Sequence, residues 1–150
     1  MPDAQATARL GAELARGIGP GRVLHLYGDL GTGKTTLARG LLRALGVSGR
    51  VKSPTYAWVE PYDLSSLHLY HFDFFRFNNT SEWLSSGLRD YFGPNSACIV
   101  EWPERAGAVL PAPDLTVHLS HEGAARHARI EAQSPAGQAW LAGLPSLPSA

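Results

Sequence analysis

The chain is poor in lysine and cysteine and has no long apolar run. Lys34 and Lys52 are its only lysines, and basic and acidic residues balance at 13 each. Balanced charge argues against binding nucleic acid by bulk electrostatics, which needs clustered cations; a local basic patch stays open. The one cysteine, Cys98, excludes an internal disulfide and suits a reducing compartment. No apolar stretch is long enough to cross a bilayer. Met1-Pro2-Asp3-Ala4-Gln5 lacks the basic start and apolar core of a secretory signal. A cytoplasmic protein without membrane contact is expected. No internal repeat is visible, and 150 residues suffice for one domain with a real core. Its expected extent is 1–144, with 145–150 as a flexible tail rich in proline and serine.

One of the two lysines lies in the most informative stretch. Residues 28–36 read G-D-L-G-T-G-K-T-T and match the phosphate-loop pattern G-x-x-x-x-G-K-[ST] at Gly28, Gly33, Lys34 and Thr35. Glycines at 28, 31 and 33 allow backbone conformations closed to other residues, so successive N–H groups can form an anion nest. Val23 to Tyr27 reads as a buried strand before the loop. Leu37, Leu41, Leu42 and Leu45 recur at helical spacing after it, and Gly46 stands at the C-terminal cap. Strand, glycine loop and helix are the context this motif requires. The loop from Gly31 to Thr36, with Thr32, Gly33 and Thr36, is expected to bind the α- and β-phosphates of ATP. Lys34 reaches the β- and γ-phosphates and acts catalytically there, and the Thr35 hydroxyl ligates Mg²⁺.

Around this unit, residues 3–18 read as an amphipathic helix, with Gln5 and Thr7 near its start as candidate base contacts. Residues 47–55 form a loop in which Thr55 is the candidate γ-phosphate sensor. Residues 56–60 and 67–74 predict a hairpin of two strands joined by a turn over 61–66. Asp73 ends the second strand, at the rim where α/β sheets bind ligands. His68 and His71 lie three apart and so face opposite sides; they read as structural histidines rather than metal ligands. Asn79-Thr80-Ser81-Glu82 has capping-box form and predicts a short helix, interrupted at Gly87, whose aromatics are expected in the core or, if left exposed, at a partner surface.

Ala97-Cys98-Ile99-Val100-Glu101 is an apolar strand ending in an acid, the form of a Walker-B strand. Glu101 is therefore expected to hold Mg²⁺ with Thr35 or to orient the attacking water, and Asp73 is the other candidate for the water. Residues 115–119 predict a strand, 122–125 a turn, 126–132 a strand and 135–144 a terminal helix begun by Ser134-Pro135. No N-K-x-D motif is present, which favours adenine over guanine. No arginine cluster marks a lid, which weighs against a small-molecule kinase; Arg76, Arg105, Arg126 and Arg129 are scattered candidates for a transition-state arginine. A binding switch in which hydrolysis is incidental stays open as a further alternative.

The blocks V-K-S-P-T-Y (51–56), V-E-P-Y (59–62), Y-H-F-D-F-F-R (70–76), G-L-R-D-Y-F (87–92), V-E-W-P-E-R (100–105) and L-P-x-P-D-L (110–115) carry more specific information. Together with the phosphate loop they resemble, in order and over nearly the whole chain, the bacterial TsaE (YjeE) family, the small ATPase of tRNA threonylcarbamoyladenosine biosynthesis. The resemblance implies a single small P-loop NTPase domain of α/β class, with a mixed central sheet flanked by helices. It implies Glu101 as second Mg²⁺ ligand beside Thr35, Asp73 supporting the metal and water site, Ser53 and Thr55 in a switch-like loop, and Trp102 beside the nucleotide. It implies TsaD and TsaB as partners, TsaD carrying the group to adenosine 37 of tRNAs that read codons beginning with A. The ATPase would act on that complex rather than transfer the group, touching tRNA only indirectly. This chain departs from the family in having Phe75 where a tyrosine is usual, in lacking an acidic run after Asn79, and in spelling T-G-K where A-G-K is commoner.

Overall fold

The computed structural model describes residues 1–51, 54, 58–64, 67–77 and 80–144. Six strands, β1 (Val23–Tyr27), β2 (Val59–Leu64), β3 (Leu67–Asp73), β4 (Ser96–Glu101), β5 (Leu115–Glu122) and β6 (Ala125–Ala132), form one sheet in the order β2-β3-β4-β1-β5-β6. The inner four run parallel, and β2 and β6 pair antiparallel at the two edges. Helices α1 (Ala4–Ala15), α2 (Lys34–Ala44), α3 (Thr80–Ser86) and α4 (Pro135–Ala142) flank it, with short 3₁₀ turns at Leu88–Tyr91 and Pro103–Arg105. The expected mixed α/β sheet is present. No helix among the described residues is long and apolar enough to cross a membrane.

The sheet's period-two alternation divides the core in two. Leu24, Leu26, Leu69, Ile99 and Val117 face Leu10 and Leu14 of α1 and Leu37 and Leu41 of α2. Phe72, Cys98 and Val100 face the other way, onto Phe74, Phe77, Trp83 and Leu88. Of the aromatics after Asn79, Trp83 is packed as expected at 2% exposed and Phe92 stacks on Phe72, while Tyr91 stays 38% exposed. Helices α1 and α2 meet backbone to backbone: a Cβ at Gly40 would lie 2.2 Å from the Ala8 carbonyl oxygen, and one at Gly11 would lie 2.1 Å from that of Leu37.

The first and last helices are capped by side chains, and Asn79, which opens the expected capping box, lies outside the described residues. Asp3 accepts the Ala6 N–H, and Ser134 accepts the Gly137 N–H. At the end of α2, Val47 N–H bonds Leu42 O and Gly46 N–H bonds Arg43 O, a Schellman closure with Gly46 at φ 98°. Asp114 ties three elements together: its carboxylate accepts the Val23 N–H at 2.8 Å and the Ser134 hydroxyl at 2.7 Å. The Trp140 indole donates to Leu14 O, fastening α4 to α1.

The first helix ends at Ala15 and the last at Ala142, short of the expected 18 and 144, and two turns also differ from expectation. Residues 61–64 are not a turn: β2 continues through Pro61 to Leu64, because an edge strand needs no N–H from Pro61 on its open side. Strand β5 runs on to Glu122, and the turn shrinks to Gly123-Ala124, with Gly123 at φ 60° closing a two-residue hairpin. Tyr56 and the tail from 145 on lie outside the described residues.

Candidate functional site

The site forms where β1, β3 and β4 end together. β1 leads into the glycine loop, which turns into α2 at Lys34. Gly28 has φ 151°, and a Cβ there would lie 2.5 Å from Thr32 Oγ1 and 2.7 Å from Leu119 O. Gly33 caps α2 at φ 105° with no side-chain cap bond, so the first N–H groups of the helix point toward the loop. Thr32 is 1% exposed; both its hydroxyl and its N–H bond Asp29 O, so its side chain stiffens the loop.

Across the sheet, β3 and β4 are in register such that Asp73 lies opposite Glu101. Both carboxylates are buried, at 3% and 2% exposure. Glu101 Oε1 accepts a hydrogen bond from Thr35 Oγ1 at 3.1 Å, which brings the phosphate-loop threonine and the strand-terminal acid together. Glu101 Oε2 lies 2.7 Å from His71 Nε2. Asp73 Oδ1 accepts the Phe75 N–H at 2.9 Å, which turns the chain sharply after β3.

Lys34 is folded into this corner. Its ammonium donates to Gly28 O and to Asp29 O (2.9 Å) and lies 4.2 Å from the centroid of the Trp102 ring. Burial pulls its pKa below the usual lysine value, opposed by the nearby carboxylates of Glu101, Glu104, Asp73 and Asp29. Trp102 holds a left-handed backbone conformation at φ 57°, and its ring packs 4.9 Å from that of Phe75. The Arg105 guanidinium lies 5.2 Å from Phe75 and 5.6 Å from Trp102. Phe75 thus serves as an apolar wall, a role for which a tyrosine hydroxyl is not required.

These groups enclose a cleft of about 320 Å³ with the loop as floor, Asp73 and Glu101 at its inner end, and Phe75 and Trp102 as one wall. A smaller recess of about 150 Å³ continues past Gly31 and Gly33 toward Thr7, Asp3 and Arg126. Thr7, 2% exposed, sits against the loop: a Cβ on Gly33 would lie 3.2 Å from its methyl. Thr36 lines both cavities. Gln5 is exposed on the first turn of α1, and among the described residues it lines neither cavity. Thr55, with Ser53, lies outside the described residues.

The donors at the inner end are hard oxygens, a hydroxyl and carboxylates, which suits Mg²⁺. Among the described residues no three His, Cys, Asp or Glu side chains form a metal cage.

Two contacts escaped the sequence reading. His71 shares a face with Asp73 two residues on, a signal present in the alternation but short of identifying Glu101 as its partner. Arg126, one of the scattered arginines, donates from Nη2 to Gly31 O at 3.0 Å, because the β5–β6 hairpin tip returns beside the glycine loop. No sequence signal pointed to that loop contact. His68 faces outward onto Asp63, on the opposite side from His71.

Over residues 1–130 the chain matches the family described as threonylcarbamoyl adenosine biosynthesis protein TsaE. It is 42% identical over 116 residues to the tRNA threonylcarbamoyladenosine biosynthesis protein TsaE of Haemophilus influenzae, which covers 77% of this chain and 73% of that one. It is 39% identical over 121 residues to the protein of the same name from Bacillus subtilis, covering 81% and 73%. The crystal structure of Bacillus subtilis YdiB superposes with a TM-score of 0.81 at 28% identity, covering 95% of this chain and 88% of that one. The fold is that of a small P-loop NTPase domain.

Proposed function

The chain belongs to the TsaE family, and from that premise we propose that it binds ATP with Mg²⁺ and hydrolyses it slowly in service of tRNA threonylcarbamoyladenosine formation. The observation that carries this reading is the meeting of Thr35 Oγ1 and Glu101 Oε1 at 3.1 Å beside the glycine loop. A hydroxyl and a carboxylate so paired are what a nucleotide-bound Mg²⁺ requires of a P-loop protein.

Each residue then has a task. The loop N–H groups from Gly31 to Thr36 hold the α- and β-phosphates, aided by the dipole of α2. Lys34 leaves the carbonyls of Gly28 and Asp29 and moves to the β- and γ-phosphates. Thr35 and Glu101 hold the metal, which neutralises charge on the phosphate oxygens. Asp73 lies opposite Glu101 and lines the same cleft, and we assign orientation of the attacking water to this pair of carboxylates. Phe75 and Trp102 exclude bulk water from that end. The recess beside Thr7 accepts the nucleoside, and Thr55 senses the γ-phosphate.

The protein acts on the TsaD–TsaB pair, and TsaD carries the group to adenosine 37; contact with tRNA is indirect. A low intrinsic rate, raised by the partners, is part of this reading. The test is binding of a fluorescent ATP analogue to wild type and Lys34→Ala, with turnover followed in parallel. Binding and slow turnover by wild type, with turnover abolished in the variant, is expected. Unimpaired hydrolysis by Lys34→Ala contradicts the reading.

A further inference from the structure

We propose that His71 is a positioning residue that fixes the Glu101 carboxylate for metal binding; this rests on the assignment of Thr35 and Glu101 above. His71 has no solvent exposure, and its Nε2 lies 2.7 Å from Glu101 Oε2, a carboxylate itself 3% exposed in its side chain. Thr35 Oγ1 lies 3.1 Å from Oε1 and 3.3 Å from Oε2 of the same group. The carboxylate is thus held from the sheet side by the imidazole and presented on the cleft side to the threonine. Since the carboxylate only accepts, the imidazole donates from Nε2.

The other ring nitrogen shows why this is more than packing. His71 Nδ1 is buried and has no hydrogen-bond partner among the described residues. With the proton on Nε2, Nδ1 is a bare acceptor in an apolar layer beside Ile99 and Leu69, a placement that costs stability. Leucine would fill this position without that cost. What leucine lacks is the donor to Glu101. Mg²⁺ demands near-ideal octahedral geometry, so a carboxylate free to rotate binds it less well than one already oriented. Outer partners of metal-holding carboxylates typically contribute 10–100-fold in metal affinity.

The experiment compares wild type, His71→Leu, His71→Gln and His71→Asn. Melting temperature establishes folding, and a fluorescent non-hydrolysable ATP analogue is titrated in EDTA and across a Mg²⁺ series. Gln and Asn are both polar amides, but only Gln has an N–H long enough to reach Glu101. The expected result is that affinity in EDTA stays within about twofold of wild type throughout. The Mg²⁺ concentration at half effect rises roughly 10–100-fold in the Leu and Asn variants and recovers in Gln. If the Leu variant fails to fold, the Asn–Gln contrast decides. Unchanged Mg²⁺ dependence in Asn, or no recovery in Gln, overturns the inference while leaving the proposed function intact. A wild type whose nucleotide binding ignores Mg²⁺ overturns both.

Discussion

The Lys34 ammonium lies 4.2 Å from the centre of the Trp102 ring, so the residue proposed to meet phosphate rests against an indole. Lys34 comes from the start of α2, and Trp102 from the first residue beyond β4. Trp102 reaches this position through a left-handed backbone conformation, uncommon outside glycine. Cation–π attraction of about 0.5–2 kcal/mol holds the pair, weak enough for nucleotide phosphate to displace it.

Tryptophan emission should therefore respond to ATP. Trp83 and Trp140 are 2% and 1% exposed and lie in the two cores, away from the cleft. The emission change on adding ATP is expected to shrink in Trp102→Phe, with nucleotide still bound, the remainder coming from Trp58, whose carbonyl accepts the Asp73 N–H at the cleft. A full response in that variant would place the reporter elsewhere.

Stability should fall with acid because of His25. It is 4% exposed in β1, its two ring nitrogens have no partner among the described residues, and burial lowers its pKa from 6.5 to about 4. Between these values the unfolded chain takes up a proton that the folded chain refuses, so stability rises with pH through this window and is lost as pH falls toward 4. The loss attributable to this residue is about 3 kcal/mol by pH 4. Urea midpoints measured from pH 7 to 4 should show that slope, and His25→Leu should flatten it.

Gly40→Ala tests the approach of α1 to α2. Alanine favours an isolated helix by about 1 kcal/mol. Here its methyl would lie 2.2 Å from the Ala8 carbonyl oxygen, a backbone atom with no rotamer to yield. Net destabilisation of roughly 1–3 kcal/mol is expected from thermal unfolding. A stabilised Gly40→Ala would mean that the helices part without cost.

Arg126→Ala probes the glycine loop from outside. The lost bond to Gly31 O is exposed and contributes about 1 kcal/mol to the loop's resting shape. Nucleotide affinity is expected to drop by up to roughly fivefold, with the melting temperature falling by about 2–4 °C at most. An equal affinity would show that the loop keeps its shape without β6.

Much of the site was legible because its determinants are local. Gly28, Gly33, Lys34 and Thr35 are spaced by backbone geometry within one loop, and Glu101 and Asp73 announce themselves as acids closing apolar strands. The contacts that were missed depend on pairing between distant segments. His71 meets Glu101 only because β3 lies parallel to β4 with Asp73 opposite Glu101. Arg126 meets Gly31 only because the β5–β6 hairpin folds back to the loop. Pro61 read as a turn because proline breaks ladders, and only knowledge that β2 is an edge strand removes that objection. Gly11 and Gly40 look like defects in helices until the two helices are packed together.

The most direct measurement is ATP hydrolysis with Mg²⁺, alone and with TsaD and TsaB added, by wild type and Glu101→Ala. A slow rate that rises with the partners, and falls a hundredfold or so in the variant, is the predicted result. A rate indifferent both to the partners and to Glu101 would contradict the account.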